Sequence, residues 1–439
     1  MGRQLFGTDG MRGIAGQYPL DDATVFSAGE ALGRLVTRWK VKPEVLIGMD
    51  TRESGPRIAG LLAGGLDRAG VPSRFAGVIT TPGVAFLTRM GHFVAGAMIS
   101  ASHNPYQDNG IKIFSHSGFK LPDEQEEEVE KSMAELRGGA VALKDTEPDA
   151  SLADAYVSYL AACIEAPLNT KLKIVADCAN GAASRIAPRL FERVGITAEI
   201  IADHPDGRNI NRDCGSLHLH TLRSAVLRSR ADLGVAFDGD ADRALFVSAT
   251  GREINGDAVL WMAARHLRLP LVVMTTMSNL GLEKALEREG IAVVRTPVGD
   301  KYVLEEMLRR GAELGGEQSG HIIFRRYATT GDGLLTALKV LEIASVAGKN
   351  LDELTAGLPV YPQTIRNVRV RTRVPFAEIP AVDRVIRSSE QGLAGRGRVV
   401  VRYSGTEPLA RVMVEAETQE EVELHAARLV QAITDHLGA

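Results

Sequence analysis

The sequence predicts an α/β chain in which three related mixed-sheet domains are followed by a smaller α+β domain. Three observations support this fold class. A unit made of an apolar strand, a polar loop, an amphipathic helix and a glycine stop recurs along the chain. After Pro359 the pattern changes to alternating apolar and basic residues, which is typical of half-buried antiparallel strands. A chain of 439 residues, 45% of them hydrophobic, is long enough for roughly three or four domains with ordered cores.

The recurring unit is recognised at its end, where each helix finishes with Arg-x-Gly before a new apolar run. The glycines are Gly70, Gly195 and Gly290. Glycine is favoured after a helix because it adopts left-handed backbone angles without strain. The predicted strands cover residues 43–48, with 45–47 as the apolar centre, 173–177 and 271–274, and the predicted helices end at residues 68, 193 and 288. Because any helix end favours glycine, a chance likeness between the three units is an open alternative.

The last part of the chain predicts a different fold. Residues 364–374 read as a half-buried strand, and further strands are expected at 399–401 and 411–414. A closing helix over residues 419–437 would be capped by Thr418. The predicted domains are residues 1–147, 148–250, 251–359 and 360–439.

Composition and charge exclude several classes of protein. The net charge of −4 is not the basic excess that nucleic-acid binding requires, so we expect no nucleic-acid partner. No apolar run approaches the roughly 18 residues of a membrane span, and the first residues lack the apolar core of a secretory signal. Three widely spaced cysteines, Cys163, Cys178 and Cys214, show neither metal-binding nor disulfide spacing. They favour a reducing cytoplasm.

A serine loop follows the apolar run that ends at Ile99. In the sequence Ser-Ala-Ser-His-Asn-Pro, Ser102 stands where a buried strand enters a stiff polar turn, and Lys112 lies where the chain turns apolar again. No Gly-x-Ser-x-Gly elbow surrounds Ser102, which argues against an acyl-transfer hydrolase. The alternative is an ordinary turn whose side chains bond their own backbone.

An acidic loop, Asp-Gly-Asp-Ala-Asp-Arg, lies between two apolar runs. Its carboxylates, Asp238, Asp240 and Asp242, stand at alternate positions and can point at one centre. Such a concentration of negative charge favours a hard cation, and oxygen ligands favour Mg²⁺. A calcium EF-hand is rejected because Ala249 stands where that motif needs its bidentate glutamate. A solvent-exposed acidic turn is the alternative.

Three further polar loops complete the set. The Gly-rich stretch with Glu317 and His321 offers donors and acceptors suited to hydroxyl recognition, unless it is a plain surface loop. Arg402, followed by Tyr-Ser-Gly-Thr-Glu-Pro, forms a compact anion cradle, unless it is a plain hairpin turn. Near the N-terminus, Arg12 in a glycine-rich loop would contact an anion, or this loop is an ordinary turn. A nucleophile, a cation site, a hydroxyl reader and a phosphate cradle together describe phosphoryl transfer on a sugar phosphate.

These motifs, in this order and one per predicted domain, resemble those of the α-D-phosphohexomutases over essentially the whole chain. Gln318 in the sugar loop and Gly405 in the phosphate loop are similar to the branch that acts on glucosamine phosphates. The branch acting on mannose and glucose phosphates usually has Met and Asn at these positions. We see no departure from the family at the catalytic positions.

The resemblance implies a heart-shaped molecule of four domains with the site in a central cleft. Ser102 would be phosphorylated, and Mg²⁺ would be bound by Asp238, Asp240, Asp242 and a phosphate oxygen on Ser102. Glucosamine 6-phosphate would become glucosamine 1-phosphate through glucosamine 1,6-bisphosphate, upstream of UDP-N-acetylglucosamine and cell-wall synthesis. The implied catalytic residues are Ser102, Lys112, His321, Arg12 and Arg243. The implied substrate-binding residues are Glu317, Ser319, Arg402, Ser404, Gly405, Thr406 and Arg411.

Other functions stay open at this stage. Gln318 argues only weakly against a phosphomannomutase or phosphoglucomutase. A Mg²⁺-dependent phosphatase would use the same phosphoserine but transfer it to water. A non-catalytic sugar-phosphate sensor is disfavoured by the intact Ser102 and the three aspartates. The expected partner is a small sugar phosphate, without nucleic acid or membrane, and a homodimer is left open.

Overall fold

The computed structural model describes residues 5–7, 10–39, 42–136, 140–404 and 408–439. The chain divides into two compact units. Unit 1 contains Met1–Met277 and Ile291–Ala356, and unit 2 contains Ser278–Gly290 and Gly357–Ala439.

The first sheet of unit 1 carries the serine loop. Its described elements are β1 (Phe6–Gly7), β2 (Gly10–Ile14), α1 (Asp22–Val36), β3 (Val45–Met49), α2 (Gly55–Arg68), β4 (Ser73–Val78), α3 (Thr81–Met90), β5 (Ala95–Ile99), β6 (Asp108–Ser115) and α4 (Asp123–Leu136). The strand order is β1-β2-β6-β5-β3-β4. Strand β3 pairs in parallel with β4 and β5, whereas β6 pairs antiparallel with β5 and β2.

The second sheet of unit 1 carries the acidic loop. Its elements are α5 (Ala150–Ala162), β7 (Lys173–Asp177), α6 (Ala183–Arg193), β8 (Thr197–Ile201), a 3₁₀ turn (Gly215–Leu217), α7 (Leu219–Ser229), β9 (Leu233–Phe237), β10 (Ala244–Ser248) and β11 (Glu253–Ile254). The strand order is β11-β10-β9-β7-β8. The apolar strand β9 is buried along its whole length, so the acidic loop leaves directly from the core.

The third sheet carries the sugar loop. The elements in this part of the chain are α8 (Gly256–His266), β12 (Leu271–Thr275), α9 (Leu280–Arg288), β13 (Ala292–Thr296), α10 (Asp300–Arg310), β14 (Leu314–Gly316), β15 (Ile322–Phe324), α11 (Gly333–Ala347) and α12 (Leu351–Leu354). The strand order is β13-β12-β14-β15. Helix α9 belongs to unit 2, and the other elements belong to unit 1.

The three sheets share one topology. In each, a central strand pairs in parallel with one neighbour on either side, and one of these two neighbours pairs antiparallel with a fourth strand. The resulting orders are β4-β3-β5-β6, β8-β7-β9-β10 and β13-β12-β14-β15. The glycine stops have φ angles of 74°, 72° and 75° at Gly70, Gly195 and Gly290. The predicted strands and helix ends of the repeated unit are therefore confirmed, with the left-handed angles that favour glycine there.

Unit 2 contains a small antiparallel sheet packed on helices. Its elements after residue 357 are β16 (Gln363–Arg369), a 3₁₀ turn (Phe376–Glu378), α13 (Pro380–Gly392), β17 (Gly397–Tyr403), β18 (Leu409–Ala416) and α14 (Gln419–Leu437). The strand order is β16-β18-β17. Thr418 caps α14 by accepting a hydrogen bond from the Glu421 N–H at 3.3 Å. The α+β prediction is confirmed, although the first strand ends at Arg369 and not near residue 374.

In the described ranges, no helix combines the length and the apolar character needed to cross a membrane. The three cysteines are buried, and their thiols are free.

Candidate active site

The serine, acidic and sugar loops occupy the same place in their three sheets. Each connects the antiparallel pair that closes the shared topology: β5 to β6, β9 to β10, and β14 to β15. The loops also touch directly. The Ala244 N–H donates to the Gly320 carbonyl at 3.1 Å, and a Cβ built on Gly239 would lie 2.5 Å from the Ser102 carbonyl oxygen. Equivalent loops of three domains therefore meet within unit 1.

Ser102 lies at the centre of this meeting point. Its hydroxyl donates to Asp238 Oδ2 at 2.6 Å, although the two residues are 136 positions apart in the chain. The side chain is 2% exposed, and its φ angle of 52° is in the left-handed region. The Ser102 N–H donates to the Ser100 hydroxyl at 2.9 Å. A non-glycine residue in this region is strained, which is common at functional sites.

The three aspartates of the acidic loop form a buried cluster. One ligand oxygen of each, from Asp238, Asp240 and Asp242, lies within 4.8 Å of the others. Two of the buried oxygens, Asp240 Oδ1 and Asp242 Oδ1, accept no hydrogen bond from the described residues. Orphaned carboxylate oxygens converging in a buried site fit a hard divalent cation such as Mg²⁺.

Three groups compensate the charge of Asp240 and Asp242. The Lys112 ammonium, 2% exposed, lies 3.0 Å from Asp240 Oδ2 and 3.6 Å from Asp242 Oδ2. The Thr81 hydroxyl, at the start of α3, donates to Asp240 Oδ2 at 2.6 Å. Arg243 Nε lies 3.9 Å from Asp242 Oδ1. Strand β6, the first turn of α3 and the acidic loop itself thus each contribute a group that stabilises the buried negative charge.

Burial and mutual repulsion act differently on the aspartates. Burial, followed by the neighbouring Asp242 and Asp240, raises the pKa of Asp238 well above its ordinary value. Burial would also raise the pKa of Asp242, but Lys112, His321 and Arg243 hold it below its ordinary value. A bound cation would relieve the repulsion that disfavours the ionised form of Asp238.

His321, at the end of the sugar loop, faces the acidic loop. Its Nδ1 lies 3.6 Å from Asp242 Oδ1, and its Nε2 lies 3.9 Å from Asp300 Oδ2. Burial lowers its pKa, but Asp242, Asp300 and Glu317 together raise the pKa of His321 to about 9. The Gly331 N–H donates to Nε2 at 2.9 Å, which requires a lone pair there and favours the neutral ring. The neighbouring carboxylates therefore favour the protonated imidazole, whereas the Gly331 N–H favours the neutral one.

The sugar loop presents a carboxylate and a hydroxyl next to each other. The Ser319 hydroxyl donates to Glu317 Oε2 at 3.2 Å, and the Gly299 N–H donates to Glu317 Oε1 at 3.1 Å. The loop is pinned to α8 by a bond from the Gly256 N–H to the Gln318 carbonyl at 3.0 Å. Both polar side chains are partly exposed, as substrate-reading groups must be.

Arg12 lies on strand β2, opposite Gly110 of β6, and not in the loop or turn that the glycines predicted. Burial, and then the charges of Arg243 and Arg12, lower the pKa of His103 to about 4. Both arginines therefore act electrostatically on the residue next to Ser102. The structure thus brings together the predicted residues of unit 1: Ser102, Lys112, His321, Arg12, Arg243, Glu317, Ser319, Asp238, Asp240 and Asp242.

Sequence reasoning missed several residues that organise this site. Arg52 and Asn211 both bond the Ser102 carbonyl, and Thr81 bonds Asp240. One signal was available for Arg52, because its polar loop follows the buried strand β3 beside β5. Thr81 and Asn211 carry no comparable local signal, since they reach the site from the start of α3 and from a loop, both remote in sequence from their partners.

The anion cradle predicted in unit 2 lies on the β17–β18 hairpin. Arg402 and Arg411 are directly paired across the two strands, which puts both side chains on one face of the sheet. Ser404 is buried, and its N–H donates to the Leu409 carbonyl at 2.8 Å. Gly405 and Thr406 lie outside the described residues. Two positively charged side chains on one face of the sheet favour an anion there.

Comparison with protein-family models matches the chain in four segments. The models describe phosphoglucomutase/phosphomannomutase alpha/beta/alpha domains I, II and III at residues 3–138, 154–251 and 255–361, and the C-terminal domain of the same proteins at residues 366–432. The chain belongs to the phosphoglucomutase/phosphomannomutase family. The predicted family and fold class are therefore confirmed.

Individual members of this family resemble the whole chain. The phosphoglucosamine mutase of Solibacter usitatus is 56% identical, over 100% of this chain and 100% of the relative. A phosphoglucomutase/phosphomannomutase family protein of Burkholderia thailandensis has a TM-score of 0.82 and 24% identity, with 100% of both chains covered. The Aspergillus fumigatus N-acetylphosphoglucosamine mutase, solved with GlcNAc-6P and magnesium, has a TM-score of 0.68 and 19% identity, covering 98% of this chain and 96% of that one. The two solved structures support the fold.

Proposed function

We propose that the chain catalyses the phosphoglucosamine mutase reaction, the interconversion of glucosamine 6-phosphate and glucosamine 1-phosphate. The proposal rests first on one observation: the Ser102 hydroxyl lies 2.6 Å from Asp238 within a buried cluster of three carboxylates. A hydroxyl at this place can carry a phosphoryl group whose negative charge a cation bound by the carboxylates would offset. The 56% identical relative bears the name of the same enzyme, an isomerase.

The reaction uses a phosphoserine at Ser102. The 1-hydroxyl of glucosamine 6-phosphate attacks the phosphorus, the bond from phosphorus to Ser102 Oγ breaks, and Oγ takes up a proton while the sugar hydroxyl loses one. The product of this half is glucosamine 1,6-bisphosphate. After the sugar turns over, Oγ loses its proton and attacks the phosphorus of the 6-phosphoryl group, the bond from phosphorus to the sugar O6 breaks, and O6 takes up a proton. This restores the phosphoserine and releases glucosamine 1-phosphate.

The resident metal would be one Mg²⁺, held by Asp238, Asp240, Asp242 and a phosphate oxygen on Ser102. When bound, it offsets negative charge on the phosphoryl oxygens. The two orphaned carboxylate oxygens of Asp240 and Asp242 support this assignment.

The chain's own side chains would bind the substrate and move its protons. Lys112 and His321 are the candidates for proton transfer, since both are buried beside Asp242, which belongs to the same carboxylate cluster as Asp238, the partner of Ser102. The basic groups Arg12 and Arg243 would stabilise charge on the moving phosphoryl group. Glu317 and Ser319 would bind the sugar hydroxyls. The phosphate that is not reacting would be bound by Arg402, Ser404, Gly405, Thr406 and Arg411.

The test is to incubate the purified protein with glucosamine 6-phosphate, Mg²⁺ and a trace of the bisphosphate, and to follow the products by phosphorus NMR. The 1-phosphate resonance is the expected result. Faster turnover of mannose or glucose 6-phosphate would reassign the substrate to the other branch of the family, and release of inorganic phosphate would indicate a phosphatase. Absence of all three reactions would overturn the proposal.

The cytoplasmic location and the absence of a nucleic-acid partner stay predictions from composition. Free, buried thiols at Cys163, Cys178 and Cys214 support a reducing compartment. A sugar phosphate is the expected partner, and a homodimer is left open.

A further inference from the structure

One buried arginine, Arg52, makes most of its hydrogen bonds to the serine loop. Arg52 is 1% exposed, and its Nη2 donates to the carbonyls of Ser102 and Asn104, both at 2.9 Å. Its Nη1 donates to the carbonyls of Asp108, at 2.9 Å, and of Pro105. A single planar guanidinium therefore bonds four main-chain oxygens of the loop that carries Ser102.

The orientation of the Arg52 guanidinium is fixed by the carboxylate of Asp50. Its Nε donates to Asp50 Oδ2 at 2.9 Å, and the Ser100 hydroxyl donates to the same oxygen at 2.7 Å. Because Ser100 in turn accepts the Ser102 N–H, the network reaches both the N–H and the carbonyl of Ser102. Asp50 neutralises the guanidinium in a fully buried pair, which makes its presence there tolerable.

A second side chain bonds the same two carbonyls from the second domain. Asn211 Nδ2 donates to the Ser102 carbonyl at 2.9 Å and to the Asn104 carbonyl at 3.2 Å. Asn211 is itself buried and has a φ angle of 59°, a region in which asparagine is among the better tolerated side chains. Arg52 and Asn211 thus hold one peptide stretch between two domains of unit 1.

We propose that Arg52 and Asn211 are positioning residues that jointly hold Ser102 in its left-handed conformation, with Oγ aimed at Asp238. This inference rests on the proposed function, in which Oγ must give and retake a phosphoryl group in every turnover. Once phosphorylated, Oγ no longer donates a hydrogen bond to Asp238, so the side chain cannot fix the position of Ser102. The hydrogen bonds to its main-chain carbonyl are kept in both states. In-line transfer tolerates little displacement of the reacting oxygen, so a loosened loop slows chemistry more than it weakens substrate binding.

The test uses two exchanges at Asn211. Asn211→Asp keeps the shape and the tolerance for positive φ but removes the N–H donor and places an oxygen against two carbonyl oxygens. Asn211→Gly removes the side chain and keeps only the backbone freedom. If donation positions Ser102, we expect Asn211→Asp to lower kcat more than Asn211→Gly, by about tenfold to a hundredfold from wild type, with KM changed less than about twofold. A packing role predicts the reverse order and would overturn the proposal.

Arg52→Lys supplies the second arm. It keeps the charge against Asp50 but cannot reach four carbonyls, so a similar fall in kcat with little change in KM is expected. The double variant Arg52→Lys/Asn211→Asp should lose less than the product of the single losses, because both residues hold the same two carbonyls. Independent, multiplicative losses would contradict joint positioning.

Two controls separate positioning from lost stability and from lost domain contact. Lys339→Met removes another buried cation of unit 1, which bonds Glu342 at 2.8 Å far from these loops in sequence. Arg208→Ala removes the exposed contact to Glu53, the neighbour of Arg52, between the same two domains. Both should keep kcat within about twofold at a temperature where all variants are folded. If Lys339→Met lost as much activity for the same fall in Tm, the proposal would fail, whereas an inactive wild type would refute the proposed function instead.

Discussion

The serine and acidic loops of unit 1 and the arginine hairpin of unit 2 handle charge in opposite ways. Around Ser102, anions and cations are buried together: Asp238 and Asp240 are 0% exposed, and Lys112 is 2% exposed. On the hairpin, Arg402 is exposed and stands directly beside Arg411. The first region pairs its opposite charges within the protein, whereas the second presents two like charges on one face of a sheet. Changes in the first should therefore alter chemistry and stability, and changes in the second should alter substrate binding.

The largest expected effect comes from Ser102→Ala. Removing the hydroxyl that carries the phosphoryl group should lower kcat by at least about 10³-fold, because no covalent intermediate can form. Intact-protein mass spectrometry should show the phosphoryl group on the wild type and its loss in the variant. Retained turnover would show that the reaction does not use Ser102, and the buried cluster around it would then not be the catalytic site.

The second largest effect is expected from Lys112→Met. It leaves Asp240 and Asp242 without their nearest ammonium, so we expect about 10²-fold lower kcat and a free energy of unfolding lower by about 3–5 kcal/mol. Denaturant unfolding and steady-state kinetics measure the two effects. Lys144→Met is the matched control, because its partner Asp67 is exposed and such pairs contribute about 0–1 kcal/mol. Equal losses of kcat and of unfolding free energy in both variants would show that the burial of the ion pair does not determine the size of the effect.

Arg402→Ala should act on binding. Loss of one charge-assisted bond to phosphate corresponds to about 1.5–3 kcal/mol, which is a rise in KM of about tenfold to a hundredfold, while Tm changes by less than a few degrees. Arg387→Ala, an exposed arginine of α13 paired with Asp383 in the same unit, should leave KM unchanged. A fall in kcat with unchanged KM would instead place Arg402 in the chemical step.

The smallest effect should be the response to salt. Raising ionic strength from about 0.05 to about 0.5 M screens exposed charges more than buried ones, so KM should rise a few-fold while kcat stays nearly constant. In Arg402→Ala the slope of KM against salt should be shallower than in wild type. Parallel slopes would mean that the hairpin does not attract the substrate electrostatically.

Local patterns were enough to predict the strands and helix ends of the repeated unit and to single out the polar loops that follow its strands. The glycine stops, the apolar strands and the alternate spacing of Asp238, Asp240 and Asp242 are properties of short stretches, and short stretches report backbone preference and burial. The family resemblance then supplied the expectation that Ser102 and these aspartates meet. Where the pattern was weaker, as in the first strand of unit 2, the predicted end differed from the observed one at Arg369.

The sequence by itself determined the three repeated units and the change of fold after Pro359, and it singled out the loops that we propose to carry the chemistry. Only the tertiary structure decided that the loops are topologically equivalent, and that Arg52, Thr81 and Asn211 join them. The physical reason is distance along the chain. The bond from Thr81 to Asp240 spans 159 positions and that from Asn211 to Ser102 spans 109, so no local preference encodes them, and they form only when domains pack.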